Sequence, residues 1–375
     1  MRCAARLPLL CAALLLLCSM PASAWWAKGH MAVALIAQRH MSDAAVAKTN
    51  LSANVLCKTG PYPKSPDMVQ SASWPDDIKE IGFNTMSSWH FINTPYYTDD
   101  FRLPVSPLQS VNVVTVIPML LKALKNPQAT SEIIAQSASL LIHFMGDIHQ
   151  PLHNVNIFSH KYPNSDLGGN MQTVTIDDAG TKMKLHMYWD SIAEGNAGDD
   201  VPRPLFPDDY KDLNNFVDYL EATYASTLTD ADKTLQDPAK ITVETYDLAI
   251  KYAYPGADDG ATLTEEYKAN AKKVAERQVL LAGYRLALML NETMKSVNTS
   301  AITEGMKNVE AEVPTTDNTT RVNHYVQKGL SSGATAGIAV VLFCVGVIIA
   351  AIVVAVLQRC GRTKDQMGQY QELGV

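Results

Sequence analysis

The sequence predicts a mainly α-helical protein with a single folded domain. Apolar residues recur at helical spacing over 31–40, 111–124, 131–144, 213–224 and 264–290. Residues 173–187 alternate instead around Asp178-Ala179-Gly180, which predicts a small β-hairpin. A long apolar segment near the C-terminus adds one transmembrane helix to this prediction.

The first 24 residues have the order of charge, apolar run and small residues that is typical of a secretory signal peptide. Arg2 and Arg6 precede an apolar run over 7–17, and Ala22-Ser23-Ala24 offers a cleavage site. Residues 1–24 are therefore excluded from the fold, and we expect the mature chain to begin at Trp25.

Residues 334–357 contain no charged side chain and, at about 1.5 Å per residue, are long enough to cross a bilayer as a helix. A buried core helix is the alternative, but such a helix rarely lacks a polar face. Arg359, Arg362 and Lys364 follow at once, which predicts a cytoplasmic tail over 358–375. The pattern is that of a single-pass type I protein of the plasma membrane with its folded domain, 25–297, outside the cell. Residues 298–333 lose apolar periodicity and predict a stalk.

The formal net charge of −7 argues against a large basic surface of the kind that usually meets nucleic acid. Cys57 is the one cysteine in 25–297, so no disulfide can form within the predicted domain. The core or bound metal must then stabilise it. Four Asn-x-Ser/Thr sequons, at Asn50, Asn291, Asn298 and Asn318, are candidate glycosylation sites.

Two His-x-x-x-Asp pairs are the most informative pattern in the chain. His143 and Asp147 are four residues apart in a predicted helix, so their side chains lie on one face. His186 and Asp190 repeat this spacing after the hairpin, and His153 follows Pro151, where the first helix should end.

Two further candidates lie in tryptophan-containing turns, Asp76 in Trp74-Pro75-Asp76-Asp77 and His90 in Ser88-Trp89-His90-Phe91. A single His–Asp pair is more often a core histidine beside a carboxylate. The recurrence of such pairs indicates a metal site. Imidazole and carboxylate ligands without thiolate suit zinc, while manganese and iron remain open on ligand type alone.

The segment Gly146-Asp147-Ile148-His149-Gln150-Pro151-Leu152-His153, together with His143, Gly168-Gly169-Asn170 and Trp189-Asp190, resembles the zinc-dependent class I nucleases. This family includes fungal single-strand nucleases and plant bifunctional nucleases, and the resemblance covers about residues 25–291. With its membrane anchor, the architecture looks closest to the trypanosomatid surface 3′-nucleotidase/nucleases. The resemblance implies a mostly helical fold with three zinc ions in a cleft.

The resemblance also implies a distribution of zinc ligands. Asp76, His90, His143 and Asp147 would bind one ion, and His153, His186 and Asp190 a second. Asp147, His30 and the terminal amine and carbonyl of Trp25 would bind the third, so that signal cleavage completes the site. His149 is expected to donate a hydrogen bond to a ligand carboxylate, whereas His40 and His160 are left out.

Three residues are implied in substrate binding. Lys79 would face the substrate phosphate, although a solvated helix lysine is an equal alternative. Phe91 would stack on a base, with core packing as its alternative. Asn93 stands where the fungal enzymes carry an aspartate that bonds the base, which leaves base preference open because an amide both donates and accepts.

The expected activity is hydrolysis of 3′-nucleotides to nucleoside and phosphate, and of single-stranded RNA and DNA to 5′-nucleotides, for purine salvage. Asp76, Asp147 and Lys79 are the predicted catalytic residues, because paired metal ions activate water and neutralise phosphate oxygens. Water between the two ions on Asp147 is expected to attack phosphorus. Three Zn²⁺ would also make the cleft cationic within an acidic protein.

No obligate protein partner is expected. A zinc phospholipase C-like phosphodiesterase and a non-catalytic surface receptor with a structural zinc cluster are the alternatives.

Overall fold

The computed structural model describes residues 25–60, 65–192, 201 and 203–312. The predicted signal peptide, transmembrane helix and cytoplasmic tail lie outside these residues. Among the helices that the structure does describe, none combines the length and the apolar character needed to cross a membrane.

The described part is mainly helical, with two small two-stranded sheets. Its helices are α1 (Ala27–Arg39), α2 (Asp43–Thr59), α3 (Trp74–Glu80), α4 (Val113–Leu124), α5 (Ser131–Asp147), α6 (Leu185–Ser191), α7 (Pro207–Tyr224), α8 (Asp230–Thr234), α9 (Pro238–Leu248), α10 (Glu265–Ser296) and α11 (Thr299–Glu312). Its strands are β1 (Pro95–Tyr97), β2 (Asn156–Phe158), β3 (Thr173–Thr175) and β4 (Lys182–Lys184).

All five segments with helical periodicity form helices, and α4, α5 and α10 each begin at a residue whose side chain caps the helix. The side chain of Asn112 accepts from the backbone of Val114 and Thr115 at the start of α4, and Thr130 accepts from Ile133 at the start of α5. Helix α5 ends at Asp147, four residues before Pro151, so that this carboxylate belongs to the last helical turn.

The predicted hairpin is confirmed by antiparallel pairing of β3 with β4, in which Val174 faces Met183. The second sheet was not predicted. Strands β1 and β2 pair in parallel, with Tyr96 opposite Ile157. Each strand has only three residues, and their pairing depends on segments far apart in the chain, so local alternation gave no signal for it.

The core is built around α1, α5 and α10. Helix α5 is buried over almost its whole length, and α10, with 32 residues, packs along α1. A Cβ at Gly283 would lie 2.4 Å from the Ile36 side chain, so glycine allows the two helices to approach closely. This frame fixes the faces of α1 and α5 that carry His30, His143 and Asp147.

The stalk prediction is wrong for its first residues. Thr299–Glu312 forms helix α11, which packs on α2 and α5. Ile302 is fully buried, and a Cβ at Gly305 would lie 2.0 Å from the Ser131 hydroxyl oxygen. The folded unit therefore extends to Glu312 rather than ending at residue 297. Packing on α2 and α5, which are distant in the chain, fixes this helix.

Replacing Ile302 by Ala should lower the free energy of unfolding by about 2–5 kcal/mol, because it removes buried methylene groups and leaves a cavity. Urea denaturation of the purified protein measures the change. Thr303→Ala, at an exposed position of the same helix, is the matched control and should change it little. Equal urea midpoints for wild type and Ile302→Ala would mean that Ile302 does not pack in the core, and that the folded unit ends at residue 297 as first predicted.

Candidate metal centre

Six segments bring the predicted ligand side chains together. The last turn of α5 carries His143 and Asp147, both fully buried, and α1 carries His30. Short 3₁₀ turns carry His90 and His153. Helix α3 supplies Asp76, and α6 supplies His186 and Asp190. Apart from Asp76, whose side chain is 14% exposed, every one of these side chains is buried.

The first group consists of Asp147 and the four side chains around it, Asp76, His30, His90 and His143. Asp147 Oδ2 lies 2.9 Å from His90 Nδ1 and 3.3 Å from His143 Nε2, and these two nitrogens are 3.0 Å apart. Both nitrogens lie 3.7 Å from Asp76 Oδ1. On the other side, Asp147 Oδ1 lies 3.4 Å from His30 Nε2, and the His30 ring stacks on that of His143. The two oxygens of Asp147 thus face two different sets of nitrogens.

The second group consists of His153, His186 and Asp190. The Nε2 atoms of the two histidines are 3.2 Å apart, and Asp190 Oδ2 lies 3.6 Å from His186 Nε2. The other oxygen of Asp190 accepts a 2.6 Å hydrogen bond from the side-chain amide of Gln150. Gln150 is fully buried and was not predicted as a site residue; its only sequence signal is its place between Asp147 and His153.

Backbone carbonyls determine which ring nitrogen faces each group. A carbonyl oxygen only accepts, so a ring nitrogen in contact with one must carry the proton. The Nδ1–H groups donate in this way from His143 to Ala72, from His153 to His90 and from His186 to Gly168, over 2.7–2.9 Å. Each Nε2 therefore directs a lone pair into its group.

This arrangement fits a bound cation. The facing Nε2 atoms of His153 and His186 are both acceptors, so they repel each other unless a cation lies between them. Two imidazole nitrogens on a tetrahedral zinc ion are about 3.3 Å apart, which matches the 3.2 Å and 3.0 Å separations in the two groups. The buried carboxylate oxygens of Asp147 and both ring nitrogens of His30 lack hydrogen-bond partners, as free ligand atoms would.

Burial keeps the histidines neutral, which metal binding requires. Burial is the main cause that lowers the pKa of His30, His90, His143 and His153 to about 4, and that of His186 to about 3. For Asp76, burial by itself raises the pKa, but Lys79 and the neighbouring histidines outweigh it and hold the pKa below its ordinary value.

Trp25 is fully buried and its indole N–H donates to the carbonyl of Gly146, within the last turn of α5. A Cβ at Gly146 would lie 2.6 Å from His30 Nδ1, so the glycine makes room for the imidazole beside Asp147. The next residue, Trp26, donates its backbone N–H to the carbonyl of Asp190 in the second group. The predicted ligand role of the Trp25 amine and carbonyl stays a prediction.

The three predicted substrate residues are close to ligands of the first group, Lys79 in space and Phe91 and Asn93 in the sequence. Lys79 is 8% exposed and its ammonium lies 2.6 Å from Asp76 Oδ1, so the alternative of a solvated lysine is wrong. Phe91 and Asn93 are half-buried and lie one and three residues after His90. Their roles toward phosphate and base stay predictions.

The expectation for His149 is wrong. Its Nδ1–H donates to the carbonyl of Met145, and its Nε2 accepts from the guanidinium of the buried Arg285 at 3.1 Å. It therefore joins α5 to α10, while Gln150 contacts the ligand carboxylate instead. His160 lies at the surface, as expected, and pairs with Asp99; His40 is also exposed and pairs with Glu221.

Comparison of the sequence with known proteins assigns the chain to a family. The sequence pattern of the family S1/P1 Nuclease matches residues 25–295. Endonuclease 3 of Arabidopsis thaliana is 28% identical over 278 residues, which cover 71% of this chain and 88% of that protein. Endonuclease 1 of the same plant is 28% identical over 292 residues, with 74% and 90% covered. Nuclease S1 of Aspergillus oryzae is 27% identical over 300 residues, with 71% and 91% covered.

Replacing Gly146 by Ala should displace His30 from Asp147 and reduce the amount of tightly bound metal, since the new methyl group would overlap the ring. Elemental analysis after exhaustive dialysis measures the metal. Gly283→Ala is the matched control, because it creates a similar overlap between helices away from the site. If both variants lose stability but bind the same amount of metal as each other, this role of Gly146 is contradicted.

The metal-free protein should lose stability as the pH falls from about 6.5 to about 4. The unfolded histidines bind protons near their ordinary pKa of about 6.5, whereas the five histidines of the two groups bind them only near pH 4 or below. The unfolded chain therefore gains more protons in this window. Urea midpoints of chelator-treated protein between pH 7 and 4.5 measure the slope.

Replacing one buried histidine, His186→Asn, should make this slope shallower. His160→Asn, at a side chain that is 67% exposed, should leave it unchanged. A midpoint independent of pH across the window would refute the assignment of neutral, buried imidazoles.

Proposed function

Because the chain belongs to the S1/P1 nuclease family and is thus a hydrolase of ester bonds in nucleic acid, we propose that it acts on both mononucleotides and single strands. It hydrolyses 3′-nucleotides to nucleoside and phosphate, and single-stranded RNA and DNA to 5′-nucleotides. The observation that carries this proposal is the convergence of five neutral imidazoles and three carboxylates in two adjoining buried groups.

Three zinc ions are proposed for these groups. Asp76, His90, His143 and Asp147 would hold one, His153, His186 and Asp190 a second, and Asp147, His30 and Trp25 the third. When bound, such ions supply Lewis-acid charge that lowers the pKa of water and neutralises phosphate oxygens. The two oxygens of Asp147, each beside a different set of nitrogens, support its place as the ligand shared by two ions.

The chain's own residues bind and orient the substrate in this proposal. Lys79 is held by Asp76 at the edge of the first group, and its ammonium donates a hydrogen bond to a phosphate oxygen of the substrate. Phe91 offers its ring to a base, and stacking of this kind accepts any base because every base has a π face. Asn93, two residues further along the chain, pairs with a base edge through its amide by donating and accepting.

The proposal extends to where the protein works. A secretory signal over 1–24 would deliver the domain outside the cell, and the uncharged segment 334–357, followed by Arg359, Arg362 and Lys364, would anchor it in the plasma membrane. There the enzyme would release nucleosides for purine salvage. The acidic surface would favour short or single-stranded substrates over long polyanions.

Family membership favours nuclease activity over the two alternatives, a zinc phospholipase C and a non-catalytic receptor. The discriminating experiment compares phosphate release from 3′-AMP and 5′-AMP, cleavage of single-stranded and double-stranded RNA, and hydrolysis of phosphatidylcholine. We expect activity on 3′-AMP and single strands, and none on 5′-AMP or lipid.

His143→Ala should abolish these activities while the fold persists, whereas His40→Ala at the surface should retain them. Hydrolysis of phosphatidylcholine instead would establish the phospholipase alternative. A metal-loaded wild type without activity on any phosphate ester would establish the receptor alternative.

A further inference from the structure

Asp166 has no role in the proposed chemistry, yet its carboxylate is fully buried and accepts four hydrogen bonds. Its Oδ1 accepts from the backbone of Ile157 at 2.7 Å and of Gly168 at 3.2 Å. Its Oδ2 accepts from the backbone of Gly169 at 2.8 Å and from the Gln172 amide at 3.0 Å. Its backbone also pairs with Ile157, so one residue closes the loop that follows β2.

The loop that Asp166 closes has an unusual backbone. Four residues adopt positive φ angles: Ser165 (105°), Leu167 (56°), Gly168 (59°) and Gly169 (86°). Glycine accepts this conformation readily, but Ser165 and Leu167 do not. The side chain of Leu167 is 53% exposed, so its own packing does little to hold it. The bonds to the Asp166 carboxylate hold the loop in this shape instead.

The shape matters because it presents the Gly168 carbonyl to a metal ligand. That oxygen accepts the Nδ1–H of His186 at 2.7 Å, which fixes the proton on Nδ1 and directs Nε2 toward His153 and Asp190. The Gly168 position has no room for a side chain, since a Cβ there would lie 2.5 Å from the Leu152 carbonyl and 3.3 Å from His186 Nδ1.

We propose that Asp166 is a positioning residue for the second metal group, acting on His186 through the Gly168 carbonyl. It sets the affinity of the ion held by His153, His186 and Asp190 and leaves the group around Asp147 unaffected. Partners of metal-ligating histidines that fix the tautomer typically contribute 10–100-fold to metal affinity. This inference rests on the proposed function in one respect, namely that the second group binds a divalent metal.

The test is Asp166→Asn, which keeps the shape of the side chain but replaces one accepting oxygen by an NH₂ group. Zinc occupancy is titrated against chelator buffers in the full chain. One equivalent of zinc should bind about 10–100-fold more weakly than in wild type, while the remaining equivalents keep their affinity. The cobalt-loaded variant should show a changed absorption spectrum for that same equivalent, which a loss of stability alone would not produce.

Asp177→Asn is the matched control. The Asp177 carboxylate also stabilises a turn, by accepting from the Thr181 backbone at 2.8 Å, but it does so in the hairpin between β3 and β4. It should leave every equivalent at its wild-type affinity. Unchanged zinc affinity in Asp166→Asn, or equal weakening of all equivalents, would overturn the proposal.

Two further variants keep the test decisive. Leu167→Gly relieves the backbone strain at an exposed position, so adding it to Asp166→Asn should restore part of the lost affinity. If Asp166→Asn does not fold, Gln172→Leu removes only one donor to the carboxylate and should weaken the same equivalent by a smaller factor; no effect there would refute the proposal. A wild type that binds no zinc would instead refute the proposed function itself.

Discussion

Three buried imidazoles each donate their Nδ1–H to a backbone carbonyl oxygen, and the candidate site depends on these contacts. The pairs are His143 with Ala72, His153 with His90, and His186 with Gly168. A carbonyl cannot donate, so each ring keeps one tautomer and turns a lone pair inward. In water such rings would titrate near pH 6.5, but burial lowers their pKa far enough to keep them neutral over the physiological range. The backbone thus defines where cations can bind.

The same contacts join the two groups into one centre. The carbonyl of His90 belongs to a residue of the first group and accepts from a histidine of the second, and the backbone N–H of Ile92 donates to the carbonyl of His153. The parallel pairing of β1 with β2 continues this connection. At the other end, Trp26 directly precedes α1, the helix that carries His30, and donates its backbone N–H to the carbonyl of Asp190. Main-chain hydrogen bonds therefore hold the two groups side by side.

The centre lies in a domain that has no disulfide among its described residues, where Cys57 is a free thiol. Close packing of α1, α5 and α10 supplies the rigidity, and it leaves little freedom at the points where helices touch, such as Gly283 beside Ile36. The net charge of −7 does not describe the site, because the eight converging side chains are five neutral histidines and three carboxylates that divalent cations would over-neutralise. Composition averages over the whole chain and therefore does not reveal this cluster of candidate ligands.

The sequence by itself determined what local periodicity controls. Four-residue spacing puts His143 with Asp147 on one helical face, and the hairpin follows from alternation around Gly180. The hairpin was predicted to reach residue 187, but helix α6 already begins at Leu185. The sequence could not determine what depends on contacts between distant segments. The assignment of helix α11 to a stalk failed because Ile302 is buried only by packing on other helices. Gln150 rather than His149 contacts a ligand carboxylate, because α5 ends before these two residues. The approach of His90 to His143, 53 residues apart, and the grip of Asp166 on its loop are likewise decided by the tertiary structure, since only folding brings a carbonyl or a carboxylate within hydrogen-bond distance of these groups.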